Sequence, residues 1–169
     1  MSHGASTVPV LTYLLLGSNL GDRGALLAAA RQHLAEAAGE IVAESDLYET
    51  AAWGREDQPA FLNQAVAVAT LLRPEALLAA CLAVEQQAGR ERRERWGSRT
   101  LDVDVLFYGA EIVTLPALRV PHPRLAGRRF ALVPLAEIAP ELRHPVLGLS
   151  VAKLLAHCPD PLPVRRWPA

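Results

Sequence analysis

Apolar positions along the first two thirds of the chain recur with two periods, and the period changes at glycine, proline and polar breaks. Residues 10–16 form an apolar run that stops at Gly17, which reads as a strand ending in a turn. Over residues 23–38 the spacing of Leu26, Leu27, Ala30 and Leu34 predicts a helix, with Asp22 or Ser18 available as its cap and Gly39 as its stop. Residues 41–50 alternate weakly (Val42, Leu47, Tyr48) and predict a second strand. After the polar loop 51–59, residues 61–72 alternate more clearly and predict a third. Pro74 suits the first position of a helix reaching Gly89, whose buried side would hold Leu77, Leu78, Leu82 and Val84. Residues 101–108 predict a fourth strand, with Leu101, Val103, Val105 and Phe107 on its apolar positions.

The order strand–helix–strand–strand–helix–strand predicts an α+β fold: a ferredoxin-like βαββαβ antiparallel sheet with both helices on one face, leaving the other face open to a ligand. Beyond Gly109 the pattern loosens into a C-terminal extension. Val120-Pro121-His122-Pro123 reads as a rigid turn, residues 131–140 as a proline-punctuated apolar stretch, and residues 150–157 as a short terminal helix. The expectation is a single domain over 1–169, with a flexible start at 1–9 and an extended, proline-rich tail at 159–169.

Composition changes this picture in a few places. A chain of 169 residues with 51% hydrophobic positions can bury a core and is not disordered. Its net charge of −1 gives no global attraction to nucleic acid, so any anion binding must be local. Lys153 is the only lysine, which excludes a phosphate loop of the G-x-x-x-x-G-K-[ST] type, and the glycine-rich stretch 16–24 lacks dinucleotide-binder spacing. Cys81 and Cys158 suggest neither a disulfide framework nor a metal knuckle; Cys81 falls on the apolar side of its helix. The start lacks signal-peptide features and no apolar run approaches the length of a membrane span, so the expectation is a cytoplasmic protein with no membrane partner.

The chemistry gathers at residues 90–104. Five arginines (Arg90, Arg92, Arg93, Arg95, Arg99) fall within ten residues and lead through Trp96-Gly97-Ser98 into the strand bearing Asp102 and Asp104. Side chains two apart on a strand share a face, with Cα atoms about 6.5 Å apart. A D-x-D on a strand is often no more than the wet face of a sheet, and an Arg/Glu run is often a solvated helix end. Here the two adjoin. Carboxylates take hard divalent cations and guanidinium groups fork onto phosphate oxygens, so the combination points to a magnesium–polyphosphate site.

The residues then match a known family. Leu16-Gly17-Ser18-Asn19-Leu20-Gly21-Asp22, Tyr48-Glu49-Thr50, Asp57 to Asn63, Glu85 with Gly89-Arg90, Arg95 to Asp104, Val120-Pro121-His122 and Arg128-Arg129-Phe130 run in order over roughly residues 11–145. With them the chain resembles the 6-hydroxymethyl-7,8-dihydropterin pyrophosphokinases of folate biosynthesis. The Arg-Trp-Gly-x-Arg-Thr-Leu-Asp-x-Asp block is the most specific segment. The resemblance implies transfer of the ATP diphosphate to the pterin hydroxymethyl group, with release of AMP. It implies two Mg2+ ions held with ATP by Asp102 and Asp104, and Arg90 and Arg99 completing the catalytic set with those aspartates. It places Glu85, Arg90, Arg92, Arg95, Trp96, Arg99, His122 and Arg128 around ATP. Around the pterin it places Phe61 and Phe130 as an aromatic sandwich, with Gly17, Thr50, Ala51, Trp53 and Asn63 at the ring edge.

Two other readings use part of the pattern. A magnesium-dependent nucleotidyltransferase would use the D-x-D but leaves the Arg-Trp-Gly block and the phenylalanine pair unexplained. A single-stranded nucleic-acid binder would use an open sheet face, yet would need aromatics on its central strands and a basic surface. With 3 Phe, 3 Tyr and 3 Trp at net charge −1, the composition disfavours the nucleic-acid reading. The resemblance implies ATP and a pterin as partners and no nucleic acid, and the expectation is a monomer.

Overall fold

The computed structural model describes residues 8–51, 58–89 and 100–168. Its elements are β1 (Val10–Ser18), α1 (Arg23–Ala37), β2 (Gly39–Glu44), β3 (Tyr48–Thr50), β4 (Phe61–Thr70), α2 (Pro74–Gln87) and β5 (Asp102–Tyr108), then β6 (Val113–Leu115), β7 (Leu118–Val120), α3 (Arg129–Ile138), α4 (Val151–Ala156) and β8 (Val164–Arg166). One sheet has the order β5-β1-β4-β3-β8, with β2 also pairing β4; β6 and β7 form a separate hairpin. The pairings of β1 with β4 and β5, and of β4 with β2 and β3, are antiparallel. No helix among the described residues is long and apolar enough to cross a membrane.

Alternation along the strands explains how the core divides. Leu14 and Leu16 of β1, Leu62, Val66 and Val68 of β4, and Val103 and Val105 of β5 point to one face. There they meet Leu27, Ala30 and Leu34 of α1 and Leu77, Cys81 and Val84 of α2. Tyr13, Leu15, Ala65, Ala67 and Phe107 point to the other face, where Ala131, Leu132 and Leu135 of α3 and Val151 and Leu154 of α4 cover them. The expectation of helices on one face and an open second face is therefore corrected: both faces are buried over most of their length. The signal was present in β1 and β4, whose runs are apolar at odd and even positions alike, as in strands covered on both sides. Only the end of the second face that carries Gly17, Phe61, Asn63, Asp102 and Asp104 lies beyond this core.

Local chemistry sets the element boundaries. Asp22 caps α1, its Oδ1 accepting the Ala25 N–H at 3.1 Å, and Pro74 stands in the first turn of α2. Leu82, expected on the buried side of α2, is exposed; Leu77, Cys81, Val84 and Glu85 are buried, and Leu78 packs against the same core. The single strand expected over 41–50 is broken at Ser45. Its N–H still donates to the Ala65 carbonyl at 2.9 Å, but its hydroxyl accepts the Ala65 N–H at 3.0 Å and its carbonyl accepts Gln64 Nε2 at 2.7 Å, so side chains take over part of the ladder between β2 and β3. The stretch 131–140 is mostly helix α3, with Pro134 inside it, and the tail expected to be merely extended adds β8 to the edge of β3.

Candidate functional site

The site begins as one row across three strands. Gly17 of β1 pairs with Asn63 of β4 on one side and Asp102 of β5 on the other. Directly opposed residues in antiparallel strands are about 4.5 or 5.5 Å apart, so an amide and a carboxylate stand about 10 Å apart on one face with a glycine between them. A Cβ on Gly17 would lie 3.1 Å from Asn63 Oδ1 and 3.8 Å from Phe61 Cδ1. The absence of a side chain is what lets the Asn63 amide and the Phe61 ring lean over the floor of the row.

On the β4 side, Asn63 Nδ2 donates to Thr50 Oγ1 at 3.0 Å, with both residues buried. That bond fixes the amide so that Oδ1 lies over Gly17, an acceptor suited to the N–H edge of a planar ligand. Thr50 is also directly opposed to Phe61 in the β3–β4 ladder. Phe61 is half-buried, as is Phe130 in the first turn of α3, which is the partial exposure a stacking ring requires. The Arg128 guanidinium lies over the Phe130 ring at 5.5 Å.

On the β5 side, Asp102 is opposite Gly17 and Asp104 opposite Leu15. Both are half-buried and share a face, as the sequence predicts. Arg128 faces this pair. Burial lowers its pKa from the ordinary arginine value, the charges of Asp104 and Asp102 oppose that shift, and Arg124 adds to it. The His122 N–H donates to the Leu106 carbonyl at 3.0 Å, holding the turn against β5. Burial, reinforced by Arg128 and Arg124, pushes His122 down to about 4. The imidazole is therefore neutral at pH 7. Its Nδ1 accepts the Arg124 N–H at 3.2 Å, which leaves the proton on Nε2 as a donor.

Gly17, Thr50, Phe61, Asn63, Asp102 and Asp104 are thus brought to one face, with Arg128 close by. Glu85 is placed differently. It is buried on α2, against the other face of the sheet. It lies one turn beyond Cys81, whose thiol is raised to about 12 by burial and by the charge of Asp104. Ala51 is exposed beyond the end of β3. Trp53, Arg90, Arg92, Arg95, Trp96 and Arg99 lie outside the described residues. Arg124 escaped the sequence reading; its spacing from Arg128, two residues after His122, was the available signal.

Among the described residues, no group of three or more His, Cys, Asp or Glu is placed to hold a metal. The local donor set is two carboxylates beside an arginine. Such a pair suits magnesium that arrives with a polyphosphate and takes its remaining ligands from phosphate and water.

Comparison with known proteins gives a consistent result. Residues 13–140 match the family model of 7,8-dihydro-6-hydroxymethylpterin-pyrophosphokinase. The chain is 48% identical over 155 residues to a 2-amino-4-hydroxy-6-hydroxymethyldihydropteridine pyrophosphokinase from Methylorubrum extorquens, covering 91% of this chain and 96% of that protein. A protein of the same name from Pseudomonas aeruginosa is 44% identical over 150 residues, covering 87% of this chain and 91% of that one. Among solved structures, Plasmodium falciparum HPPK-DHPS with pterin and p-hydroxybenzoate superposes with a TM-score of 0.70 at 18% identity. That match covers 92% of this chain but only 44% of the HPPK-DHPS chain, and it bears on the fold alone.

Proposed function

The chain belongs to the 7,8-dihydro-6-hydroxymethylpterin-pyrophosphokinase family, and from that premise we propose that the row through Gly17 is its active site, with the pterin on the β4 side and the ATP phosphates on the β5 side. The reaction is transfer of the ATP diphosphate to the hydroxymethyl group of 6-hydroxymethyl-7,8-dihydropterin, a step of folate synthesis. The observation that carries the site assignment is the spacing of Asn63 and Asp102 across Gly17.

In this reading Asn63 Oδ1 and the Thr50 hydroxyl take the ring edge, Phe61 and Phe130 take its faces, and Gly17 leaves the floor flat enough for the ring to lie down. Ala51 and Trp53 complete the edge. Asp102 and Asp104 hold two magnesium ions together with ATP. Bound there, magnesium neutralises phosphate charge and lowers the pKa of the attacking alcohol. Neutral His122 donates from Nε2 to a phosphate oxygen, and Arg128 places a fixed positive charge beside it. Arg90, Arg92, Arg95 and Arg99 supply further phosphate contacts, with Trp96 and Glu85 nearer the nucleoside. Catalysis by such a site is mostly positioning and charge neutralisation.

The fold also supports two coarser inferences. The order β5-β1-β4-β3, with β2 beside β4, fits a ferredoxin-like βαββαβ ancestry to which α3, α4 and β8 have been added. The chain is read as a monomer and a single domain. The nucleic-acid reading loses its surface, because α3 and α4 occupy most of the sheet face it needed. Incubation with ATP, magnesium and the hydroxymethyl-dihydropterin is expected to yield AMP and the pterin diphosphate. Appearance of ADP, or no consumption of ATP, would overturn the reading.

A further inference from the structure

On the face of the sheet away from the cleft, Arg23 in the first turn of α1 joins three parts of the chain. Its Nη1 donates to the Ala60 carbonyl at 2.9 Å and lies 2.8 Å from Glu49 Oε2. Its guanidinium carbon sits 5.7 Å from the centre of the Trp167 ring. An exposed ion pair alone would mean little. Here the side chain of Arg23 is only 23% exposed, and the same nitrogen serves both a carboxylate and a main-chain carbonyl. Trp167 is itself anchored, its N–H donating to the Leu47 carbonyl at 2.8 Å as the chain leaves β8.

Both residues gripped by Arg23 are immediate neighbours of residues assigned to the pterin: Glu49 precedes Thr50, and Ala60 precedes Phe61. Strand alternation turns Glu49 toward α1 and Thr50 toward the cleft. Thr50 and Phe61 form the last rung of the β3–β4 ladder, the rung most prone to fray. Asn19 helps at the same place, its Nδ2 donating to the Pro59 carbonyl at 3.1 Å. The glycine-rich turn between β1 and α1 therefore acts as a bracket on the start of β4.

We propose that Arg23, braced by Trp167, is a positioning residue for the pterin, fixing the Thr50–Phe61 rung from behind the sheet. The proposal rests on the reading of Thr50, Asn63 and Phe61 as pterin contacts. Loss of the guanidinium leaves the Ala60 carbonyl without this donor and loosens the rung, whereas the carboxylates of β5, on the far side of β1, keep their own ladder. The effect is therefore selective for one substrate.

The test measures two affinities in the full-length chain: the pterin by fluorescence titration without nucleotide, and a non-hydrolysable ATP analogue with magnesium. Thermal midpoints confirm folding. Arg23→Ala is expected to weaken pterin binding about tenfold while leaving the analogue within about twofold. Arg23→Lys keeps the charge but not the planar fork, and is expected to recover part of the loss, to about threefold. Should Arg23→Ala fail to fold, Arg23→Lys and Trp167→Leu carry the same test. Unchanged pterin affinity in a folded Arg23 or Trp167 variant, or an equal loss of both ligands, would overturn the proposal. Asn63→Ala separates the two layers of the argument. A loss there with none in Arg23→Ala sinks the Arg23 proposal alone, and no loss there sinks the contact assignment and the Arg23 proposal with it.

Discussion

The two sides of the cleft are built from different materials. On the proposed assignment, recognition on the β3–β4 side comes from neutral groups whose directions are set within the sheet: the Asn63 amide tied to Thr50, and Phe61 leaning over Gly17. On the β5 side it comes from charge: two half-buried aspartates, Arg128 facing them, and His122 kept neutral by burial between cations. The first arrangement discriminates by shape and hydrogen-bond direction, because a mismatched ring leaves buried polar atoms unpaired. The second gathers phosphate and cation with little regard to what they are attached to. On that proposal, identity is read on one side and reactivity supplied on the other.

The strongest way to break this division is at Asp104. Asp104→Asn should lower the rate of AMP formation about 10³-fold, since it removes a charge needed where the phosphates react. Pterin affinity without nucleotide should stay within about twofold of the parent. A comparable fall in pterin affinity would mean that the two sides are not separate. A smaller effect is expected at the shared floor. Gly17→Ala places a Cβ 3.1 Å from Asn63 Oδ1, so the amide must give way. Pterin binding should weaken about tenfold, with about 1–3 kcal/mol lost from stability and binding of the ATP analogue little changed. Titration of both ligands and a denaturant melt check this, and a loss confined to the nucleotide would reverse the assignment of sides.

The smallest effect concerns His122. Its pKa in the fold is about 4, below its ordinary value of 6.5, so between those pH values the unfolded chain takes up a proton that the folded chain does not. Its contribution to stability is complete above about 6.5 and is lost as pH falls toward about 4. His144, also lowered by burial, contributes with the same sign. Thermal melts of the parent and of His122→Asn should therefore converge by a few degrees as pH falls through that window. Parallel curves would show that the charged side does not hold His122 neutral.

Much of the site was legible because strands have a period of two: once Leu101, Val103 and Val105 were placed inward, Asp102 and Asp104 had to share the opposite face. From local pattern Gly17 was legible only as a stop signal, and only the family resemblance set it beside the pterin; the floor role proposed for it depends on the register with Asn63, which no local pattern encodes. The second layer of helices was hidden by Pro134, which interrupts the periodicity of α3 and removes an N–H that an interior helical position normally provides. On α2 only Leu82 was misjudged: apolar character suggested burial for it, while the charged Glu85 takes a buried position instead. The tail beyond residue 159 offered no alternation from which to infer that β8 would pair with β3, or that Trp167 would reach Arg23.

The rung through Gly17 also acts as a yardstick. Main-chain hydrogen bonds on both sides of β1 fix the separation between the Asn63 amide proposed to grip the ring and the Asp102 carboxylate proposed to serve the phosphates, so on that proposal length discrimination is written into the backbone. An alcohol carried one carbon farther from its ring would overshoot the reacting centre however well the ring itself fits. Substitution of cleft side chains cannot reset that interval. Only a slip of strand register can, and it would turn both aspartates into the hydrocarbon interior.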